Sequence, residues 1–453
     1  MSGKPRNIVL LLADQFRHDA ASFAGGPAPT PHLDALAARG ATYTHAYTPL
    51  PVCAPARQAL MRGQRPDAFG SFWNPGFLPA PTFTPGDTLT ERLRDAGLAC
   101  GFVGKWDVSS AHGPQDFGFT SCALKSQYAA HLAQRHPDVT FEGGWMGCKS
   151  PLPLEDADTH FFARRAVDFL QTAPDGFFLW VDFGAPHLPC RPSEPFADAV
   201  NPQSLAPWPG YDDAFENKPY CHRQQAINWR MEDTPWPEMA AQVARYYGVV
   251  AQLDDAVGRI VSALEAQGRL EDTLIVFTSD HGDMCGNHRM LDKHYVLYDD
   301  VVRVPLILAG SGVKAGVCDD LVSNCLDLPV TLCDALGIER LPNAHGQPLP
   351  GFGDGQRRQH MVCSGNGQQF GMFNSRMITD GSVKYVWNPT DIDEFYDLRS
   401  DPGECRNAIG DAAYAKEIAA LRILLHEDLR AHGDPIMTDW LAPQLLEGRK
   451  HLR

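Results

Sequence analysis

The chain has 453 residues, and 55 Asp and Glu against 39 Lys and Arg give it a formal net charge of −16, a balance that argues against nucleic acid or an anionic membrane as partner. An anionic small substrate stays open where a metal or a local basic cluster reverses the field, and the length predicts one large α/β unit plus an appendage. Twelve cysteines without a C-x-x-C pair indicate neither a zinc ribbon nor a disulfide framework, and no apolar run approaches a signal-peptide core or the ~18 residues of a membrane span, so a cytoplasmic enzyme is expected.

Taken in order, Asn7 to Ala13 is apolar enough to be a buried strand, with Asp14-Gln15 at its carboxyl end. Thr30-Pro31-His32 opens a helix carrying Leu33, Leu36 and Ala37. From Pro49 to Pro66 the chain reads as a Pro-constrained extended approach into a helix that Pro55 opens. That places Cys53 just ahead of the helix N-terminus, where unpaired N–H groups and the macrodipole favour an anion, with Arg57 a turn further on as a permanent cation. A thiol packed before an ordinary helix fits this stretch equally well.

A Pro/Gly/aromatic loop from 70 to 85 carries Trp73 and Asn74. Thr88 to Asp95 reads as a helix stopped by Gly97, and Leu98 to Val103 as a strand ending in Gly104-Lys105-Trp106-Asp107. Phe162, Ala166, Phe169 and Leu170 mark the apolar stripe of a helix. A strand from Phe177 to Phe183 leads to His187, and residues 190 to 238 look irregular, a long functional excursion. From Tyr246 a long helix repeats Val250, Leu253, Val257, Ile260 and Leu264; strands at Leu274 to Thr278 and Val304 to Leu308 flank Asp280-His281. This alternation predicts a mostly parallel or mixed sheet sandwiched by helices over 1–345. Residues 346–453 predict a small α+β subdomain, with an Asp380-Gly381 hairpin, a strand at Glu394 to Leu398 and an amphipathic helix through Leu421 and Leu425.

Four strands thus end in polar residues, at Asp14-Gln15, Lys105, His187 and Asp280-His281, where ligands of open α/β sheets bind. Two carboxylates with an amide and an imidazole suit a divalent ion such as Ca2+ or Mn2+. Helix capping by Asp14, a loop role for His187, a turn role for Asn74 and surface positions for Lys293 and His294 are the plainer readings of each residue alone. No P-loop, H-E-x-x-H or cysteine-phosphatase loop occurs; the last would need Arg at position 59, which is Ala.

Cys53-Ala54-Pro55-Ala56-Arg57 matches C-x-P-x-R, Gly104-Lys105-Trp106 matches G-K-W, and Thr30-Pro31-His32-Leu33-Asp34 with Ser279-Asp280-His281-Gly282 follow in the same family order. With Glu394 to Leu398 and Asp401-Pro402-Gly403-Glu404 added, the chain resembles the sulfatase family of the alkaline-phosphatase superfamily over nearly its whole length. The resemblance implies sulfate-monoester hydrolysis through Cys53 oxidised to formylglycine by a formylglycine-generating enzyme. One divalent metal, Ca2+ first and Mn2+ or Mg2+ as alternatives, would sit on Asp14, Gln15, residue 53, Asp280 and His281. Lys105 and Lys293 would hold sulfate oxygens, Arg57 would favour the nucleophile's anion, His187 would move a proton, and Asn74 and Asp107 would face the substrate. His222 and the aromatics Phe69, Phe72, Trp73 and Phe77 are expected around the leaving group, and self-association follows from the family's habit.

Three positions depart from the commonest pattern: Asp107 where many members have His, Gln15 for a second Asp, and His281 for Asn. The Asp-Gln and Asp-His pairs also occur in phosphonate monoester and phosphodiester hydrolases, which makes that activity the alternative. Those relatives usually lack a lysine at position 105. A non-catalytic anion-binding homologue is the third reading.

Overall fold

Residue parity in one strand divides the molecule into two faces. Along Asn7–Asp14, Val9, Leu11 and Ala13 join one core while Ile8, Leu10 and Leu12 join another. A strand buried on both faces belongs in the middle of a covered sheet. The computed structural model describes residues 4–76, 81–353, 355–368 and 371–450, and it places the strand there.

Eight strands form the main sheet: β1 (Asn7–Asp14), β2 (Ala41–Tyr47), β3 (Ala99–Gly104), β4 (Ser121–Leu124), β5 (Phe177–Pro186), β6 (Thr273–Ser279), β7 (Leu306–Gly310) and β8 (Gly316–Ser323). Their order is β4-β3-β5-β1-β6-β7-β2-β8. All neighbours run parallel except β7, which is antiparallel to both β6 and β2. The four contiguous parallel strands β3, β5, β1 and β6 therefore bring their carboxyl ends to one edge. Helices Asp158–Thr172 and Trp236–Ala266 cover one face; Cys53–Arg62 and Asn324–Leu336 cover the other.

The C-terminal sheet is antiparallel, β12-β11-β10-β9, built from β9 (Met361–Gln368), β10 (Gly371–Thr379), β11 (Val383–Trp387) and β12 (Glu394–Asp397). Ile418, Leu421, Leu425 and Leu429 of helix Ala415–Ala431 pack onto Ile378, Tyr385, Trp387 and Phe395. Two buried cations on this sheet reach carboxylates of the preceding unit, at Asp67 and Asp299. Arg376 pairs with Asp434 at 2.6 Å and Asp67 at 3.2 Å, and Lys384 with Asp299 at 2.6 Å and Glu404 at 2.7 Å.

Several elements differ from the sequence expectation. The long helix starts at Trp236, with Pro at its second position, ten residues before Tyr246. Residues 190 to 238 are not wholly irregular, because Tyr220–Asn228 is helical. Strands β2, β4, β8 and β9 and helix Asn324–Leu336 carried no clear pattern: β8 keeps an exposed Gly-Val start, and the helix contains Pro329. Among the described residues no helix is long and apolar enough to cross a membrane.

Gly104 has φ +120°, and a Cβ there would lie 1.9 Å from the Asp182 carbonyl oxygen. The same oxygen accepts the Lys105 N–H at 2.9 Å. Gly104→Ala is therefore expected to cost at least the ~1–3 kcal/mol of a strained backbone position, read as a lower urea midpoint; an unchanged midpoint would show that the strand end relaxes freely.

Candidate active site

The parity that sorts the core also sorts the carboxylates. On β1 the residues 8, 10 and 12 face the Cys53–Arg62 helix, and Asp14 continues that series. On β5 the same side holds Phe178 and Trp180, then Asp182; on β6 it holds Leu274 and Val276, and Asp280 follows two positions beyond Thr278. Registers Leu12↔Asp182 and Ala13↔Ser279 bring the three carboxylates together. All three are essentially buried.

They meet one guanidinium. Cys53 opens the helix rather than preceding it, with Val52 as N-cap and Pro55 third rather than first, so Arg57 lies one turn in and faces the strand ends. Its Nε and Nη2 reach Asp182 at 2.9 and 2.7 Å, Nη2 reaches Asp14 at 3.4 Å, and Nη1 reaches Asp280 and the Cys53 carbonyl. All five donors of the fork are engaged. Arg57 acts behind residue 53 and presents no donor to a substrate. Burial pushes the Asp182 carboxyl up to about 7 despite Arg57.

Cys53 Sγ lies 3.3 Å from His281 Nε2 and 3.8 Å from Asp14 Oδ1. Burial and the Asp14 carboxylate push the thiol up, but Lys105, Lys293 and His281 outweigh them and hold it well below the usual range. Lys105 contacts Asp14 directly and Asp107 at 3.1 Å. Burial opposes its charge; Asp14, the Cys53 sulfur and Asp107 overcome that opposition and keep it firmly protonated. Lys293 Nζ donates to His187 Nε2 at 2.8 Å and to Gln15 Oε1 at 2.9 Å. The Leu188 carbonyl, 2.7 Å from His187 Nδ1, places the proton of that ring on Nδ1.

The donor atoms of Asp14, Cys53, Asp280 and His281 lie within 4.8 Å of one another. Three observations fit a divalent cation there. Three buried carboxylates face one guanidinium and a Lys105 that Asp14 shares with Asp107, so negative charge still exceeds positive and a cation would neutralise it. The Gly282 carbonyl engages His281 Nδ1 at 2.9 Å, which turns the Nε2 lone pair toward the carboxylates. Apart from the Cys53 sulfur, the donors are carboxylate oxygens and one imidazole, the set that hard and borderline divalent ions take. Gln15 flanks this cluster, its amide fixed by Lys293 on one side and Asp283 on the other.

A cavity of about 630 Å3 opens over Cys53, Lys105, His187 and Lys293. Asn74 borders it and accepts the Ala54 N–H at 2.8 Å, capping the Cys53–Arg62 helix. The residues that line this cavity are largely others than those expected around a leaving group. His222 is buried away from the cavity, against the Tyr298 hydroxyl at 3.1 Å and 3.6 Å from Glu394, because its helix turns that face toward the C-terminal sheet. Phe69 packs on Phe83, and Trp73 donates to the Asn366 carbonyl. Phe72 packs against Trp73, while Phe77 lies outside the described residues. Trp145, Met146, Trp229 and Arg230 form the walls instead. Sequence reading also passed over Asp182, although a single carboxylate inside Phe-Phe-Leu-Trp-Val-Asp-Phe signals a buried cationic partner.

Residues 6–338 match the sulfatase family model. The chain is 27% identical to the Escherichia coli (strain K12) sulfatase YidJ, over 96% of this chain and 88% of that one. It is 28% identical to a choline-sulfatase of Rhizobium meliloti, over 90% and 82%. The crystal structure of a phosphonate monoester hydrolase of Agrobacterium radiobacter superposes with a TM-score of 0.79 at 25% identity, over 95% of each chain. With its C-A-P-A-R helix set among two strand-end carboxylates and an imidazole, the chain belongs to the sulfatase family of the alkaline-phosphatase superfamily.

Proposed function

We propose that this sulfatase-family hydrolase cleaves sulfate monoesters, using Cys53 matured to formylglycine beside a divalent ion, Ca2+ in the first instance. One observation carries the reading: a buried cysteine sits at a helix N-terminus within 4 Å of two candidate metal ligands, with Lys105 and Lys293 lowering its pKa. Hydrated formylglycine would supply an acidic hydroxyl nucleophile and a second hydroxyl whose ionisation releases sulfate, and a cation held by Asp14, Asp280 and His281 would sharpen that acidity.

The protein's own side chains do the rest. Lys105 and Lys293 are fixed before the substrate arrives, so the charge growing on the sulfuryl oxygens meets cations that need no reorganisation. His187 holds an acceptor nitrogen on Nε2, directed to Lys293, and is placed to take a proton there and pass it to the departing oxygen. Asp107 shares Lys105 with Asp14 and so keeps the ammonium over the reaction centre.

The choline-sulfatase relative and Lys105 support sulfur as the preferred centre. The phosphonate hydrolase likeness, with Gln15 and His281 in this chain, supports the same machinery acting on phosphonate monoesters as the second reading. Co-expression with a formylglycine-generating enzyme should convert Cys53 to the aldehyde, seen by intact mass of its tryptic peptide. The product should then hydrolyse 4-nitrophenyl sulfate with a higher kcat/KM than the matched phenylphosphonate ester. An aldehyde-bearing protein inert to sulfate esters would end this reading.

A further inference from the structure

Each cation at the reaction centre is already balanced. Arg57 has three carboxylates, Lys105 has Asp14 and Asp107, and Lys293 has Asp292 at 3.2 Å. Arg230, on the wall of the same cavity, differs from all of them. It is exposed, and among the described residues no carboxylate pairs with its guanidinium. Beside it Trp145 and Trp229 stand nearly perpendicular, ring centres 6.5 Å apart, and Trp145 keeps 66% of its surface exposed. Two large apolar faces thus adjoin an uncompensated planar cation.

The backbone adds to the case. Helix Tyr220–Asn228 ends through bonds from Arg230 N to Ile227 O and Met231 N to Ala226 O, which leave Arg230 at φ +56°. Glycine or asparagine is the undemanding occupant of such a left-handed position. A cation near a helix carboxyl end is also favoured by the dipole, so the test must separate that role from ligand binding.

Resting on the sulfate-ester reading above, we propose that the natural leaving group is a ring bearing a second anionic group, its face held by Trp145 and Trp229 and its charge read by Arg230. Two tryptophan faces alone would also suit a quaternary ammonium; the guanidinium on the same wall repels one. In a chain of net charge −16, such a local cation is what admits a doubly anionic ligand. A planar fork suits carboxylate and sulfate alike, so both are probed.

The probes are 4-carboxyphenyl sulfate, its neutral methyl ester, 1,4-phenylene disulfate and choline sulfate. Binding is measured by calorimetry on the unmodified Cys53 protein, which needs no turnover. The parent should bind the carboxylate or the disulfate about tenfold or more tighter than the methyl ester, a charge-assisted hydrogen bond's worth, with choline sulfate weakest. Arg230→Ala should level the anionic and neutral esters, and Arg230→Lys should restore part of the difference. Whichever anion shows the larger Arg230-dependent gain identifies the second group. Equal affinities in the parent, or a preference that survives Arg230→Ala, overturns the proposal. A purely helix-capping Arg230 would lower the urea midpoint in Arg230→Ala and leave the affinity ratio alone, which likewise overturns it. Absence of turnover by the aldehyde form would instead count against the sulfate-ester reading and leave these ratios standing.

Discussion

Replacing Arg57 by alanine is expected to cost about 3–5 kcal/mol of stability, the penalty for removing one partner of a buried ion pair. Asp14, Asp182 and Asp280 would then face one another without the fork that now engages all five of its donors. The loss is read from urea midpoints. It should also depend on pH with a definite sign. Burial holds the Asp182 carboxyl up at about 7, well above the ordinary carboxylate range, so its charge opposes folding increasingly as pH rises from that range toward 7. Without Arg57 that opposition grows, and the deficit at pH 8 should exceed the deficit at pH 5. Added Ca2+ should recover part of the loss at pH 8, because a cation among the carboxylates restores some of the missing charge. Midpoints equal to the parent's would mean that the carboxylates are not held in charge balance by Arg57.

The second large effect belongs to Lys105. Lys105→Ala in the aldehyde form should lower kcat by about 10²–10³, the range for one preorganised donor, or about 2.7–4 kcal/mol. Stability should change less, since Asp14 keeps Arg57 and His281 as partners. Lys105→Arg should recover part of the rate through charge while losing part through its wider fork. A kcat within twofold of the parent would remove Lys105 from the reaction centre.

Much of this centre could be read from the chain because strand-end chemistry is local. Asp14, Lys105, His187 and Asp280 each lie within a few residues of the end of an apolar run, and parallel strands carry such ends to one edge whatever the loops do. Parity then even tells which carboxylates face the helix of Cys53. What could not be read depends on long-range placement. His222 and Trp229 lie seven residues apart on one short helical stretch, and only the packed C-terminal sheet decides that the first is buried and the second borders the cavity. Strand β8 at the sheet edge and β2 beside it escaped because residues such as Thr44, Val317 and Asp319 stay outside the core, so no apolar run marks them. Trp145, far from any motif, gave no sign that it borders the cavity.

The burial of Cys53, at 1% exposure, has a consequence in time as well as space. On the proposed reading, an enzyme that matures this cysteine in extended form has access only until the site closes, and the walls arrive late. β5 brings Asp182 125 residues after Arg57, and the His281 ring that touches the sulfur lies 228 residues beyond Cys53. At ~5–20 residues per second of synthesis, the ribosome needs about 10–50 s to deliver that last wall. Sheet order thus sets a clock: by placing the β6 partner of β1 so far down the chain, the fold leaves Cys53 open to the proposed maturation for about half of translation, then shuts it in.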